Sequence, residues 1–318
     1  MQTKTQHFIF ALVEEFTHLA FSCAVEPLRI ANLVAEKPLY SWGFASEDGE
    51  RAMSSMGAVT LVDHSFAALP ACDRLFVLSG INMQKRDHKG LIAALRRLDR
   101  TSRTRIGALC SGAYVLAKAG FLEDRRAAIH WEYHDTMFEE FPEVNTLRSV
   151  FVDDEKYVTA SGGTATADLM LHVIEQDHGA DLSLAVADQM VYNAVREAGS
   201  DQKLSLQSRN GIRNPHLARA IEIMRDNLAE PVSPIMIADD LGISTRQVER
   251  VFGKYLNTSP KKYYMELRLE RARHLLVQTE LSVIEIAIAC GFSSPGHFSR
   301  VYRTHFGVSP VTQRGKLG

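Results

Sequence analysis

The sequence predicts an α/β domain built on a parallel sheet, followed by an all-α domain that carries two helix-turn-helix units. Three observations lead there. Apolar runs of strand length alternate with amphipathic helical stretches over roughly residues 5–195. The strand signals then stop, and residues 216–313 read only as helices. Within that helical third, one pattern of residues occurs twice.

Residues 7–16, HFIFALVEEF, read as a buried strand, and residues 17–34 carry apolar positions at helical spacing. Residues 73–82, DRLFVLSGIN, form a second apolar run that ends at Ser-Gly, and residues 90–100 form an amphipathic helix. Residues 104–110, TRIGALC, read as a strand that runs into the helix SGAYVLAKAG, stopped by Gly120. Residues 156–163 are a further strand with a helix after it at 164–179. Such alternation indicates parallel strands with both faces covered. The polar, glycine-containing stretch 197–215 breaks the pattern and suits a linker. The expected organisation is therefore a domain at 1–196, a linker at 197–214 and a second domain at 215–318.

Bulk composition narrows the function classes. The chain of 318 residues is 46% hydrophobic and 23% charged, ordinary for a globular protein, and no apolar stretch reaches the length of a membrane span. The N-terminus lacks a basic-then-apolar signal with a cleavage site, so a cytoplasmic location is expected. The four cysteines stand far apart with no CxxC or Cys/His ligand spacing, which argues against a disulfide framework and a metal site. The net charge of −2 hides an asymmetry: residues 213–318 hold 15 Lys and Arg against 10 Asp and Glu, a net of +5. A basic tail on an acidic body points to a polyanion that meets only the tail.

The repeat explains that tail. Ile237, Ala238, Gly242 and Ser244 match Ile286, Ala287, Gly291 and Ser293 at a spacing of 49. After one inserted residue, Arg250, Val251, Ser259 and Pro260 match Arg300, Val301, Ser309 and Pro310 at a spacing of 50. In each copy a short apolar helix ends at a glycine suited to a tight turn, and a serine able to cap the next helix follows. The second helix of each copy has an apolar face, with Val248, Val251, Phe252 and Tyr255 in one and Phe298, Val301, Tyr302 and Phe306 in the other. The opposite faces carry Ser244, Thr245, Arg246, Gln247 and Arg250, then Ser294, His297, Arg300 and Arg303. Arg pairs bidentately with guanine and Gln with adenine in the major groove, so these nine residues are the expected DNA contacts. The plain alternative is that the arginines only solvate a helix face. Between the copies lies a strong helix former of about 19 residues, roughly 28 Å long, which suits two helices entering grooves about 34 Å apart.

Residues 213–313 resemble the AraC/XylS-type DNA-binding domain, whose signature stands here as GFSSPGHFSRVYRTHFGVSP. Pro295 and Gly296 open the second reading helix where other members often carry longer polar residues, so the resemblance implies weaker base reading there.

Cys110 raises the question of chemistry. A cysteine between a strand and SGA resembles a nucleophile elbow, with small residues at Gly112 and Ala113 and a helix dipole that favours thiolate. His130 is a candidate thiol partner, Glu26 a candidate carboxylate, and backbone amides near Gly80 and Ser111 a candidate oxyanion pocket. The plain readings are a core histidine at 130 and a helix-surface carboxylate at 26.

Residues 6–195 resemble the ThiJ/PfpI branch of the class I glutamine amidotransferase-like superfamily, through VEPLRIAN, LFVLSGI, ALCSGAYVLAKAGFL, AAIHWEY and VTASGGTATADLMLHVIE. The resemblance implies a flavodoxin-like sheet with Cys110, His130 and Glu26 meeting at its end. The whole chain resembles the GlxA subfamily of transcriptional regulators, which implies a sensor domain without turnover. The ligand-pocket candidates are then Glu26, Gly80, Cys110, Ser111, His130 and Trp131. Trp131 could hold a quaternary ammonium through its ring face, and the resemblance points to betaine, carnitine or amino-acid-like effectors. Promoter DNA, a small-molecule effector, RNA polymerase and a second copy of the chain are the expected partners, with activation expected over repression and no cofactor, metal or membrane. A cysteine-dependent amidase or glyoxalase-like enzyme, and a thiol redox sensor, remain the alternatives.

Overall fold

The structure, a computed structural model, describes residues 4–101, 103–193, 195–200, 202 and 214–315. Its contacts divide the chain into two compact units, Met1–Gln202 and Lys203–Gly318. The linker expected at 197–214 lies mostly outside the described residues, and its described part up to Gln202 belongs to the first unit.

In chain order the first unit holds β1 (Gln6–Leu12), α1 (His18–Ala35), β2 (Tyr40–Ser46), β3 (Arg51–Met53), β4 (Val59–Leu61), β5 (His64–Ser65), β6 (Arg74–Leu78) and α2 (Lys89–Thr101). It continues with β7 (Arg105–Leu109), α3 (Ala113–Lys118), β8 (Arg126–Ala128), α4 (His134–Glu140), β9 (Asn145–Leu147), β10 (Phe151–Asp154), β11 (Tyr157–Ala160), α5 (Ala165–His178) and α6 (Ala180–Gln189). Seven strands form one sheet in the order β10-β11-β7-β6-β1-β2-β5. The ladders are parallel except at one edge, where β10 runs antiparallel to β11.

The period-two alternation of β1 distributes the two cores. Ile9, Ala11 and Val13 face α2 and α3, packing against Leu91, Leu95 and Val115. Phe8, Phe10 and Leu12 face α1 and α5, packing against Ala24, Leu28 and Leu169. A strand buried on both faces has no polar face to show, which is why β1, β6 and β7 read as unbroken apolar runs.

The second unit is a chain of helices, most of them opened by the same local device. A lead helix, Pro215–Asp226, is capped by Asn214. The first scaffold helix is Pro234–Asp240, capped by Ser233, and the first reading helix is Thr245–Leu256, capped by Ser244. A rod, Pro260–Gln278, capped by Ser259, leads to the second scaffold helix Val283–Ala289, capped by Ser282. The second reading helix is Pro295–Phe306, capped by Ser294, and a short helix Pro310–Gly315 follows. In five of these helices a proline fills the first position, where its missing N–H costs nothing.

The two halves have separate cores that share the rod. Tyr264 and Leu267 pack with Phe252, Ile237 and Met224; Leu269, Ala272 and Leu276 pack with Ile286, Phe298 and Tyr302. Arg268 stands between them. Its Nε donates to Cys290 O at 2.7 Å and its Nη2 to Gly291 O at 2.6 Å, while its guanidinium lies 4.1 Å from the Phe292 ring centroid. Tyr264 Oη donates to Asn227 O at 2.5 Å, tying the rod to the end of the lead helix. Gly291, at φ 73°, leaves no room for a side chain: a Cβ there would stand 2.6 Å from Pro231 Cδ and 2.7 Å from Leu228 O. The first half is thus pressed against the turn of the second, which holds the two pairs at one spacing.

Candidate functional site

The nine residues expected to contact DNA all lie on solvent-exposed positions of Thr245–Leu256 and Pro295–Phe306 or on the serines that cap them. Ser244, Thr245, Arg246, Gln247 and Arg250 are exposed, as are Ser294, His297, Arg300 and Arg303. Inward-facing Val248 and Phe252, and Phe298 and Tyr302, fix the helical phase that turns the polar residues outward. Gly242 and Gly291 take positive φ, 64° and 73°, at the two turns. The extra residue of the second copy lies in its turn. Ser244 caps two residues after Gly242, whereas Ser294, not the sequence-matched Ser293, caps three after Gly291. Gln247 is engaged locally: its Oε1 accepts from Ser244 N at 2.8 Å and from Ser244 Oγ at 2.9 Å, completing a capping box. Its amide nitrogen is the group left to reach outward.

The first unit places Cys110 at the C-terminal end of β7, the usual ligand side of a parallel α/β sheet. Cys110 has φ 61°, a conformation rare for a residue with a side chain, so this is a strained elbow. Its neighbours explain how the strain is held. A Cβ on Gly112 would stand 2.3 Å from Val77 O, and one on Gly162 2.6 Å from Cys110 Cβ. A Cβ on Gly80 would stand 2.2 Å from Glu15 O. Three glycines therefore let three backbone segments close around the turn.

The thiol is buried, at 6% exposure, and Thr17 Oγ1 is its side-chain hydrogen-bond neighbour at 3.4 Å. Burial pushes the thiol pKa up; the Thr17 hydroxyl and the Ser111 amide oppose this, and the Glu132 charge adds to it. A neutral, buried thiol is the reverse of an activated nucleophile.

The other expected members are placed unequally. Ser111 is fully buried and its Oγ donates to Gly80 O at 2.6 Å; Tyr133 Oη donates to the same carbonyl at 3.2 Å. Gly80 thus offers this cluster its carbonyl, a different group from the amide expected in an oxyanion pocket. His130 is joined to the elbow through its backbone, its N–H donating to Cys110 O at 3.2 Å. Its Nδ1 accepts from the Glu132 amide at 3.4 Å and faces the Glu132 carboxylate at 3.6 Å. The Trp131 ring lies 5.4 Å from that of His130.

Glu26 is the correction. It stands on the solvent face of α1, half exposed, and pairs with Arg29 at 2.7 Å. The inward face of α1 is Ala20, Ala24, Leu28 and Ala31, and Glu26 points the opposite way by helical phase. Thr17, just ahead of α1, takes the place beside the thiol. Thr17 and Gly162 went unread in the sequence, although the tandem glycine of TASGG is a signal of close backbone approach. Among the described residues no group of three or more His, Cys, Asp or Glu is arranged to hold a metal ion, and no helix is long and apolar enough to cross a membrane.

The DJ-1/PfpI family model matches residues 24–176, and that of a helix-turn-helix domain matches residues 237–316. The chain is 39% identical over 308 residues to the HTH-type transcriptional regulator GbdR of Pseudomonas aeruginosa, covering 96% of this chain and 83% of that one. It is 38% identical over 313 residues to the HTH-type transcriptional regulator CdhR of the same species, covering 98% and 93%. With the HTH-type transcriptional regulator GlxA of Rhizobium meliloti it shares 36% over 314 residues, covering 98% and 97%. The crystal structure of an AraC family transcriptional regulator from Pseudomonas putida matches 58% of this chain and 99% of its own, with a TM-score of 0.54 and 26% identity. Oxidized DJ-1 of Toxoplasma gondii, at 20% identity and a TM-score of 0.50, shares the fold of the first unit. The chain belongs to the GlxA-type family that joins a DJ-1/PfpI domain to AraC-type helices, and it is a transcriptional regulator, not an enzyme.

Proposed function

We propose that the protein is an effector-gated activator, with residues 1–196 as sensor, 197–214 as linker and 215–318 as the promoter-binding domain. It works in the cytoplasm as a homodimer and engages RNA polymerase. The first reading helix contacts bases through Thr245, Arg246, Gln247 and Arg250, and the second through His297, Arg300 and Arg303. Ser244 and Ser294 begin the two helices, where backbone amides meet phosphate. One observation carries this reading: two outward-facing polar helix surfaces are packed on one rod, the first through Phe252 against Tyr263 and Tyr264 and the second through the bonds of Arg268 to Cys290 O and Gly291 O.

The effector sits at the elbow, against Gly80, Cys110, Ser111, His130 and Trp131, with Glu132 as the carboxylate in place of Glu26. A carboxylate and an indole ring that both flank His130 favour a small cation, so the effector is a nitrogen-containing metabolite of betaine, carnitine or amino-acid type. The neutral thiol is a wall of this site.

Fluorescence anisotropy of the full chain on DNA from upstream of its own gene tests the DNA half. Arg250→Ala or Arg300→Ala lowers affinity by roughly 5- to 150-fold, the equivalent of about 1–3 kcal/mol for a base contact. Binding that ignores both salt and these substitutions refutes the assignment. A thermal-shift screen of amino acids and methylated amines tests the sensor half, since a ligand at about 100 times its Kd adds roughly 2.7 kcal/mol to native stability.

A further inference from the structure

We propose that the segment carrying Tyr192, Arg196, Ser200 and Gln202 is a strap that couples the Cys110 elbow to the start of the interdomain linker. It rests on the reading of the elbow as the effector site, and names how that site is heard further along the chain.

The strap is anchored at two places, and both border the elbow. At one end it closes on Asp168, a fully buried carboxylate in the first turn of α5. Tyr192 Oη and Arg196 N reach Asp168 Oδ1 at 2.8 and 2.9 Å, and Arg196 Nε reaches Oδ2 at 2.9 Å. Arg196 Nη2 goes on to Thr164 Oγ1 at 2.8 Å. Thr164 lies two residues beyond Gly162, where a Cβ would stand 2.6 Å from Cys110 Cβ. At the other end Gln202 Nε2 donates to Ile129 O and to Ser149 O, each at 2.9 Å, and Gln202 N donates to Arg148 O at 3.0 Å. Ile129 directly precedes His130, whose N–H holds Cys110 O. Between the anchors, Val150 joins strap to elbow loop: its N–H donates to Ser200 O and its carbonyl accepts from Ser161 N, both at 2.8 Å.

Thr17, Gly162 and the His130 backbone flank Cys110, and a group that enters on the side of Gly162 or His130 pushes on a segment tied to the strap. Either push reaches an anchor within two residues. Gln202, the strap's last residue, is also the last residue of the first unit. Occupancy of the elbow therefore changes the grip on the linker, and by reciprocity the grip changes access to the elbow.

That reciprocity gives a test that needs no effector and stands whether or not one binds there. The full chain is treated with iodoacetamide, and alkylation of each cysteine is followed by peptide mass spectrometry. Gln202→Ala and Arg196→Ala each raise the Cys110 rate about fivefold, the lower range of typical coupling. Cys72, at the opposite end of the sheet, is the control for general loosening and keeps its rate. In the reverse direction, wild-type chain already alkylated at Cys110 is cut by trypsin after Arg196 about fivefold faster. Equal acceleration at Cys72 and Cys110 marks a merely structural clamp and overturns the proposal. Unchanged rates in the neutral Gln202→Ala variant, which leaves no buried charge unpaired, overturn it as well. A failed ligand screen with intact coupling would instead refute the effector site alone.

Discussion

Arg268→Ala tests whether the two reading helices are held by one guanidinium. The substitution removes two charge-assisted hydrogen bonds, to Cys290 O at 2.7 Å and Gly291 O at 2.6 Å, and the cation 4.1 Å from the Phe292 ring. Hydrogen bonds to charged groups contribute about 1.5–3 kcal/mol each. Arg268 is only partly buried and water can replace it at the carbonyls, so the lower end applies, about 3 kcal/mol in all. For a unit of about 100 residues, that corresponds to roughly 12–24 °C in melting temperature. Both tryptophans, Trp42 and Trp131, lie in the first unit, so tryptophan emission follows that unit alone. Calorimetry of the full chain should show the second unit's transition falling by that interval while the tryptophan-monitored transition stays in place. Arg268→Lys, with one compact donor group, recovers about half. A loss below about 1 kcal/mol, or an equal fall in both transitions, would refute the reasoning.

Two further outcomes follow from local geometry. Ser244→Ala removes the cap on Gln247 N and the hydrogen bond from Ser244 Oγ to Gln247 Oε1, while the backbone N–H at 244 still donates to Gln247 Oε1; it lowers the second unit's stability by about 1 kcal/mol, read by the same calorimetry. His134 titrates out of its ordinary range: burial, then the nearby Arg148 charge, push its pKa down to about 4. The unfolded chain therefore binds a proton that the folded one refuses, and stability is lost as pH falls from about 6.5 towards 4, by about 3 kcal/mol in full. Urea unfolding followed by tryptophan emission should show this slope between pH 7 and 5, and His134→Asn should flatten it.

The parts of this protein that were legible in the sequence depend on neighbours along the chain. A glycine free to take positive φ, a serine three residues before the amide it caps and a proline in the first turn act within a few residues, so the helical pairs and their outward faces could be read directly. Doubly buried strands were equally plain, because burial on both faces leaves only apolar choices. The seven-residue β2 mixes polar and apolar positions and β3 to β5 and β8 to β10 are short, so none of them stands out as an apolar run, and the antiparallel edge at β10 depends on a hairpin that apolar periodicity does not report.

Even in the repeat, two adjacent serines left it to backbone geometry to choose Ser294 over Ser293 as the cap. Glu26 shows where local reading went astray: its phase on α1, opposite Ala24 and Leu28, already argued for solvent. What only the tertiary structure decided is the company of Cys110. Thr17, 93 residues away, reaches the thiol because β1 and β7 flank β6 in one sheet and end on the same side. Gln202 reaches Ile129 across 73 residues, a meeting of two segments outside the large sheet that no local spacing encodes.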